Sequence, residues 1–131
     1  MIDNLDKILA EISAGELIDK ITILEIKAEK IENSEKLKNI KKELSSLNNT
    51  SKKMIVETDE IKNLINKLKI INRKLWDIEN GKRLAEKNND FGKNFIELAR
   101  NVYKTNDERS KIKLEINNLL GSNIKEVKSH Y

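Results

Sequence analysis

Apolar residues between Thr58 and Glu86 follow a seven-residue repeat, with alternating steps of three and four positions. Such spacing keeps the apolar side chains on one face of a helix, and the stretch contains no proline. The pattern therefore predicts one long amphipathic helix, on whose seam the rest of the chain packs. The seam residues are Ile61, Leu64, Leu68, Ile71, Leu75, Ile78, Lys82 and Ala85.

Three more segments have helical periodicity, and their boundaries follow from capping signals. Ser13 with Glu16 three residues later fits a capping box, Ser34 is a candidate N-cap, and Asp90 can cap the last helix. Ser45–Lys53 is rich in Ser and Asn and predicts a loop. The predicted helices span residues 14–32, 35–48, 58–87 and 91–120, between a lead-in arm (1–12) and a charged tail (121–131).

The last of these helices has an interrupted seam. Polar side chains stand at Thr105 and Arg109, where the apolar spacing requires hydrophobic residues. Thr105 with Glu108 also fits a capping box, so a new helix could begin there. One continuous helix with a polar gap is the other interpretation and is preferred here, with Gly121 as the residue that ends it.

Together these elements predict an all-α protein, with residues 1–131 as a single helical domain. We expect an antiparallel bundle of long amphipathic helices with coiled-coil-like heptad packing. The composition fits, since 37% of residues are hydrophobic, 37% are charged and only 4% are aromatic. A chain of 131 residues with so few aromatics has a modest core. We therefore expect self-association, with two copies completing the seam as a homodimer.

The residue inventory excludes several kinds of chemistry. The chain has no cysteine and one histidine, which excludes disulfides, zinc fingers and cysteine nucleophiles. We find no glycine-rich phosphate loop and no paired metal ligands, and no cofactor is indicated. No apolar run approaches a membrane span, and the first ten residues do not have the pattern of a signal peptide. We expect a cytoplasmic protein of bacterial type.

The net charge of +4 and the pI of about 9.2 raise the question of nucleic-acid binding. The charge is unevenly spread, because residues 1–33 have eight acidic and four basic side chains whereas residues 34–56 have two and six. No basic stripe interleaved with aromatic residues is present. The distribution argues against nucleic acid and favours charged, solvated helix faces.

A second stripe lies one residue beyond the seam of the long helix. It consists of Trp76, Glu79, Arg83 and Glu86, which share one helical face. The last helix has a similar stripe of Arg100, Tyr103 and Asp107, with Arg109 nearby.

Three of the four arginines of this lysine-rich chain belong to these stripes or lie beside them. Arginine offers a planar fork of donors where lysine offers a point charge. One interpretation is a groove walled by Trp76 and Tyr103, in which Arg83, Arg100 and Arg109 hold a small anion. The alternative, which is preferred here, is that Glu79 and Arg83 form a surface ion pair, Trp76 is the edge of the core, and the other arginines connect helices. The first helix could supply the carboxylates opposite, from Glu11, Glu16 and Asp19.

At these residues the chain resembles an uncharacterised family of small all-helical bacterial proteins, known as a domain of unknown function. The resemblance is carried by Glu11–Lys27, by Leu75–Glu79 with Arg83 and Glu86, by Phe95–Arg100 with Val102–Tyr103 and Asn106–Arg109, and by Leu119–Ser122 with Glu126 and Lys128. It spans nearly the whole chain, although Asn80-Gly81-Lys82 departs from the family's pattern. The resemblance implies a helical domain and no particular activity.

A weaker resemblance is to the all-helical chorismate mutases, which hold a dicarboxylate with Arg and Lys. Only the pair Ile18-Asp19 matches their opening helix, and the expected basic residue near its start is missing. Two functional classes remain open. The first, which the sequence favours, is a non-catalytic cytoplasmic helical interaction module that self-associates or binds a protein partner. The second is a binding protein or enzyme for a small anionic metabolite.

Overall fold

The computed structural model describes residues 5–128, and all of its regular secondary structure is helical. No helix within these residues combines the length and the apolar composition needed to cross a bilayer. The four helices are α1 (Ala14–Lys30), α2 (Ser34–Met54), α3 (Asp59–Lys87) and α4 (Lys93–Leu120).

The predicted lead-in and tail are only partly described, because residues 1–4 and 129–131 lie outside this range. Residues 5–12 have no regular secondary structure. Leu5, Ile8 and Leu9 are more than four-fifths exposed. This part of the arm therefore contributes almost nothing to the core of its own chain.

The central element of the fold is α1, which contacts each of the other three helices. Among the described residues, α2 contacts α1 and neither α3 nor α4. The expectation that every other segment packs on the seam of the long helix is therefore wrong for α2. A link of only three residues, 31–33, folds α2 back onto α1, so α2 lies on the side of α1 away from that seam.

The core lies where α1, α3 and α4 meet. The buried hydrophobic residues of α3 all occupy predicted seam positions. Burying a large aliphatic side chain contributes about 1.5–3 kcal/mol, so this cluster is a main source of stability. The cluster consists of Ile18, Leu64, Leu68, Ile71, Ile112 and Ile116.

The loop predicted at Ser45–Lys53 is wrong, because α2 continues as a helix to Met54. The physical reason is tertiary packing, which overrides the weak helix propensity of Ser and Asn. A half-buried stripe of Leu44, Leu47 and Ser51 continues the helical spacing. The longer helix also brings Ile55 against the core cluster.

Two predicted N-caps are displaced. Asn33, rather than Ser34, caps α2 by accepting a hydrogen bond from the backbone N–H of Lys36. Asp90 does not cap α4, which begins at Lys93 after Gly92 and has no side-chain cap. The Asp90 carboxylate instead accepts from the Gly92 N–H at 3.2 Å, which forms a local turn before the helix.

The polar gap in the last seam does not break the helix. Residues Lys93–Leu120 form one continuous α4, and Thr105 within it is buried. Gly121 ends α4 in the left-handed conformation, as predicted.

One local side chain and two side chains from the far end of the chain satisfy the first turn of α1. The first backbone N–H groups of a helix have no partner within it. The N–H of Ala14 donates to Ser122 Oγ, that of Gly15 to Asn117 Oδ1 at 2.6 Å, and that of Glu16 to Ser13 Oγ. The reciprocal half of the predicted capping box is replaced, because the Glu16 carboxylate binds Lys113. The beginning of α1 is thus fixed to the end of α4.

Gly15 allows this close approach of α1 and α4. A Cβ atom at this position would lie 2.6 Å from the Lys113 carbonyl oxygen and 2.9 Å from Asn117 Oδ1. A backbone carbonyl cannot rotate away as the end of a side chain can. Any larger residue therefore separates the two helices.

We predict that Gly15→Ala destabilises the fold by about 2 kcal/mol, because the added methyl group overpacks this contact. Gly81→Ala is the matched control, since its Cβ would meet only the Leu98 side chain, at 3.2 Å. We expect that variant to stay within about 1 kcal/mol of the wild type. Urea unfolding followed by circular dichroism measures both, and equal losses would contradict the assigned role of Gly15.

Candidate functional site

A groove of about 500 Å³ lies where α1, α3 and α4 come together near Trp76. We call it the Trp76 groove. One α1 residue, Ile23, lines it together with six residues of α3 and two of α4. The α3 residues are Asn72, Leu75, Trp76, Glu79, Asn80 and Arg83, and the α4 residues are Asn106 and Arg109.

Four of the seven predicted site residues meet at this groove: Trp76, Glu79, Arg83 and Arg109. On α3 the steps of three and four residues place Trp76, Glu79 and Arg83 on one face, as the sequence predicted. Trp76 is half-buried and forms an apolar wall with Ile23 and Leu75.

Arg83 has no ion-pair partner among residues 5–128. The alternative interpretation expected a surface pair between Glu79 and Arg83. Glu79 instead lies 3.5 Å from the ammonium of Lys82. The guanidinium of Arg83 therefore remains available to an anion in the groove.

Arg109 is held differently, by the buried carboxylate of Asp19. Its Nε donates to Asp19 Oδ1 at 2.9 Å, and its Nη2 donates to Asp19 Oδ2. These hydrogen bonds raise the pKa of Arg109 despite the opposing effect of burial. Arg109 thus connects α4 to α1, as the alternative interpretation expected of some arginines, although part of it still lines the groove.

Asp19 is the centre of a buried polar cluster. It is fully buried, as is Thr22 one turn later. Asn72 donates from Nδ2 to Asp19 Oδ1 and to Thr22 Oγ1, both at 2.9 Å. Thr22 donates in turn to the backbone carbonyl of Asp19 at 2.8 Å. These hydrogen bonds join α1, α3 and α4 around Asp19, and Asn72 and Arg109 of the cluster line the groove.

The other two predicted carboxylates have separate partners. Glu16 accepts from Lys113 Nζ at 2.6 Å, and Glu11 accepts from Asn123 Nδ2 at 2.6 Å. Lys113 also lies 3.9 Å from Asp19, so acidic α1 residues and basic α4 residues form one network. Neither Glu16 nor Glu11 lines the Trp76 groove.

Arg100, Tyr103 and Asp107 do not line the Trp76 groove. Arg100 and Tyr103 are exposed, and Asp107 forms an ion pair with Lys128 of the tail. A helix turns by about 100° per residue, so Asp107 faces away from the groove that its neighbour Asn106 lines. The face of α4 that forms the groove contains Asn106, whereas the predicted stripe contains the next residue, Asp107.

Three asparagines of the groove were not predicted: Asn72, Asn80 and Asn106. Asn80 follows Glu79 directly and was not part of the predicted stripe. Asn72 and Asn106 stand next to seam positions, where a polar residue is ordinarily solvated. The interrupted seam at Thr105 and Arg109 was the one signal in the sequence that α4 carries polar side chains into the interior.

The tail adds a second anchoring point at the beginning of α1. Glu126 accepts from Ser13 Oγ at 2.6 Å and from Asn117 Nδ2 at 3.0 Å. Burial acts to raise the pKa of Glu126, but these hydrogen bonds and the Lys113 ammonium lower it overall. A carboxylate with a lowered pKa stabilises the fold above its ordinary pKa and loses that contribution as the pH falls. The tail contact is therefore weakened in acid, as Glu126 becomes protonated.

The groove combines a free cation, a tryptophan wall and several amide groups. This combination can hold an anionic ligand by charge-assisted hydrogen bonds and apolar contact. Within residues 5–128, no group of three or more His, Cys, Asp and Glu side chains could hold a metal ion.

Comparison with known proteins places the chain in a family without assigning it an activity. Residues 8–131 match the model of a "Family of unknown function (DUF6165)", which confirms the resemblance seen in the sequence. No curated protein and no solved structure matches the chain. With nearly its whole length matched, the chain belongs to the family of unknown function DUF6165.

Proposed function

We propose that this protein binds a small anionic metabolite in the Trp76 groove without transforming it. The observation that carries the proposal is the position of Arg83. Arg83 lines the groove, is exposed, and has no carboxylate partner among the described residues. An arginine fork is suited to a carboxylate or phosphate, which it can bind through two parallel hydrogen bonds.

Arg109 also lines the groove, but its role differs from that of Arg83. Its charge is balanced by Asp19, so it shapes the wall without competing for the ligand anion. The half-buried Trp76 offers a flat apolar surface to the remainder of the ligand. A reaction of the chorismate mutase kind is not part of the proposal.

The first test uses Trp76, the only tryptophan, as a fluorescent reporter. We expect hexanoate or inorganic phosphate to change its emission in a saturable way. Arg83→Ala should weaken binding about tenfold or more, since a hydrogen bond to a charged group contributes about 1.5–3 kcal/mol. Arg83→Lys should also weaken it, because the charge remains but the fork is lost.

Arg73→Ala is the matched control for this test. Arg73 lies on the same helix but binds Glu29 at 2.7 Å, away from the groove. Its loss should leave ligand binding unchanged. The proposal is contradicted if neither anion changes the Trp76 emission, or if Arg73→Ala weakens binding as much as Arg83→Ala.

A second candidate function is self-association, and the exposed apolar surface favours it. At and just beyond the end of α2, Met54 and Val56 are more than three-quarters exposed, whereas the apolar stripe of the helix is half-buried against α1. In the arm, Leu5, Ile8 and Leu9 are exposed at helical spacing. A second copy of the chain could cover both surfaces, and a protein partner could take its place.

Light scattering tests this second candidate. At micromolar concentration we expect a mass twice the 15.2 kDa of one chain. Replacing Leu5, Ile8 and Leu9 together by Ser should shift the mass towards the monomer without changing helicity, because these side chains are exposed. A monomer mass for the unaltered chain would contradict self-association.

We infer an antiparallel, coiled-coil-like bundle, supported by the burial of α3 at heptad positions and by the contact of late α3 (Gly81) with early α4 (Leu98). A cytoplasmic location and a bacterial origin stay predictions, drawn from the start of the chain, from its apolar runs and from the resemblance to a bacterial family. Nucleic acid is not a proposed partner, because the basic residues form no continuous stripe.

A further inference from the structure

The amide of Asn72 has a fixed orientation in the wall of the groove. Its Nδ2 donates both of its hydrogens, one to Asp19 Oδ1 and one to Thr22 Oγ1. The Asp19 carboxylate, ion-paired with Arg109, can only accept, so the atom facing it must be the nitrogen. The Oδ1 of Asn72 therefore points away from this cluster.

That Oδ1 is an acceptor without a donor among the described residues. Asn72 is only 5% exposed. Every fully buried side-chain oxygen or nitrogen within residues 5–128 has a hydrogen-bond partner. Because Asn72 Oδ1 has none, this oxygen is not fully buried. Because Asn72 lines the Trp76 groove, its Oδ1 is reached from there. A ligand that fills the groove must offer a donor to this atom or leave it desolvated, which is costly.

Asn72, which requires a donor from the ligand, and Arg83, which requires an anion, are far apart on α3. Eleven residues separate them on α3, or about 16 Å along the axis at 1.5 Å per residue. The long Arg83 side chain leans towards the helix N-terminus, which shortens this gap. Trp76 lies between the two groups on the same face. A ligand that satisfies both ends must be elongated, with an apolar middle over Trp76.

The charge near Asn72 selects the kind of donor. Asn72 faces the ion pair of Asp19 and Arg109, whose opposite charges offset each other, so this end of the groove has no net charge to attract a ligand ammonium group. A carboxylate is disfavoured too, because it would bring an acceptor to the acceptor Oδ1. A neutral hydroxyl or amide group fits both conditions.

We infer that the ligand of the Trp76 groove is an elongated monocarboxylate with a neutral hydrogen-bond donor at its far end. The carboxylate binds Arg83, the middle packs on Trp76, and the donor binds Asn72 Oδ1. This inference rests on the proposed function and specifies its ligand class.

The test compares four carboxylates by titration against Trp76 fluorescence and by calorimetry. Hexanoate, 6-hydroxyhexanoate and adipate share a six-carbon chain and differ only in the group at carbon 6, whereas glycolate carries both groups but is too short. We expect 6-hydroxyhexanoate to bind about tenfold more tightly than hexanoate, as one satisfied hydrogen bond predicts. Adipate and glycolate should bind more weakly than 6-hydroxyhexanoate.

Asn72→Ala provides the matched variant. If it folds, its preference for 6-hydroxyhexanoate over hexanoate should vanish while hexanoate binding remains. If it does not fold, the four ligands tested on the unaltered chain still decide the question.

The outcomes separate this inference from the proposed function. Equal, Arg83-dependent binding of hexanoate and 6-hydroxyhexanoate would overturn the inference and leave the proposed function standing. Tighter binding of adipate would also overturn it. No response to any of the four carboxylates, or to phosphate, would overturn both.

Discussion

The structure depends on one buried carboxylate. Asp19 is fully buried in the central helix and accepts hydrogen bonds from Arg109 of α4 and Asn72 of α3. A buried charge is costly unless it is paired and its remaining lone pairs are satisfied. This requirement specifies how the three helices are aligned, because only one arrangement brings both partners to Asp19. The apolar core alone, built mostly of Leu and Ile, would be less selective.

The same carboxylate shapes the groove. By pairing with Arg109 it leaves Arg83 as the cation available to a ligand, and by taking the Asn72 amide nitrogen it turns the amide oxygen outward. The Trp76 groove is thus the outer side of the polar cluster that aligns the helices. Structure and proposed binding share their residues, so substitutions in the cluster affect both, whereas Arg83 and Trp76 can be changed with less effect on the core.

The sequence predicted the parts of the fold that depend on local spacing. The seam of α3 was visible because burial at heptad positions leaves a regular pattern, and Trp76, Glu79 and Arg83 share a face for the same reason. The residues missed depend on contacts between distant segments. Asn72 is buried only because Asp19 and Thr22 lie opposite it, and Ser45–Lys53 is helical because α2 packs on α1. Arg100 and Tyr103 were misplaced because the apolar seam of α4 is interrupted. The sequence therefore does not specify which of two neighbouring faces of α4, one residue apart, points inward.

A double-mutant cycle on Asp19 and Arg109 tests the central role of this pair most directly. We expect Arg109→Gln to lower the free energy of unfolding by about 3 kcal/mol, because it leaves the buried Asp19 carboxylate without its cation. Asp19→Asn should lower it by about 2 kcal/mol, because the Arg109 side chain that it leaves behind is 29% exposed. The double variant should lose much less than the sum, with a coupling energy of about 2 kcal/mol. The exposed pair of Glu29 and Arg73 is the reference, and its coupling should be about 0.5 kcal/mol. Additive losses at Asp19 and Arg109 would contradict the account.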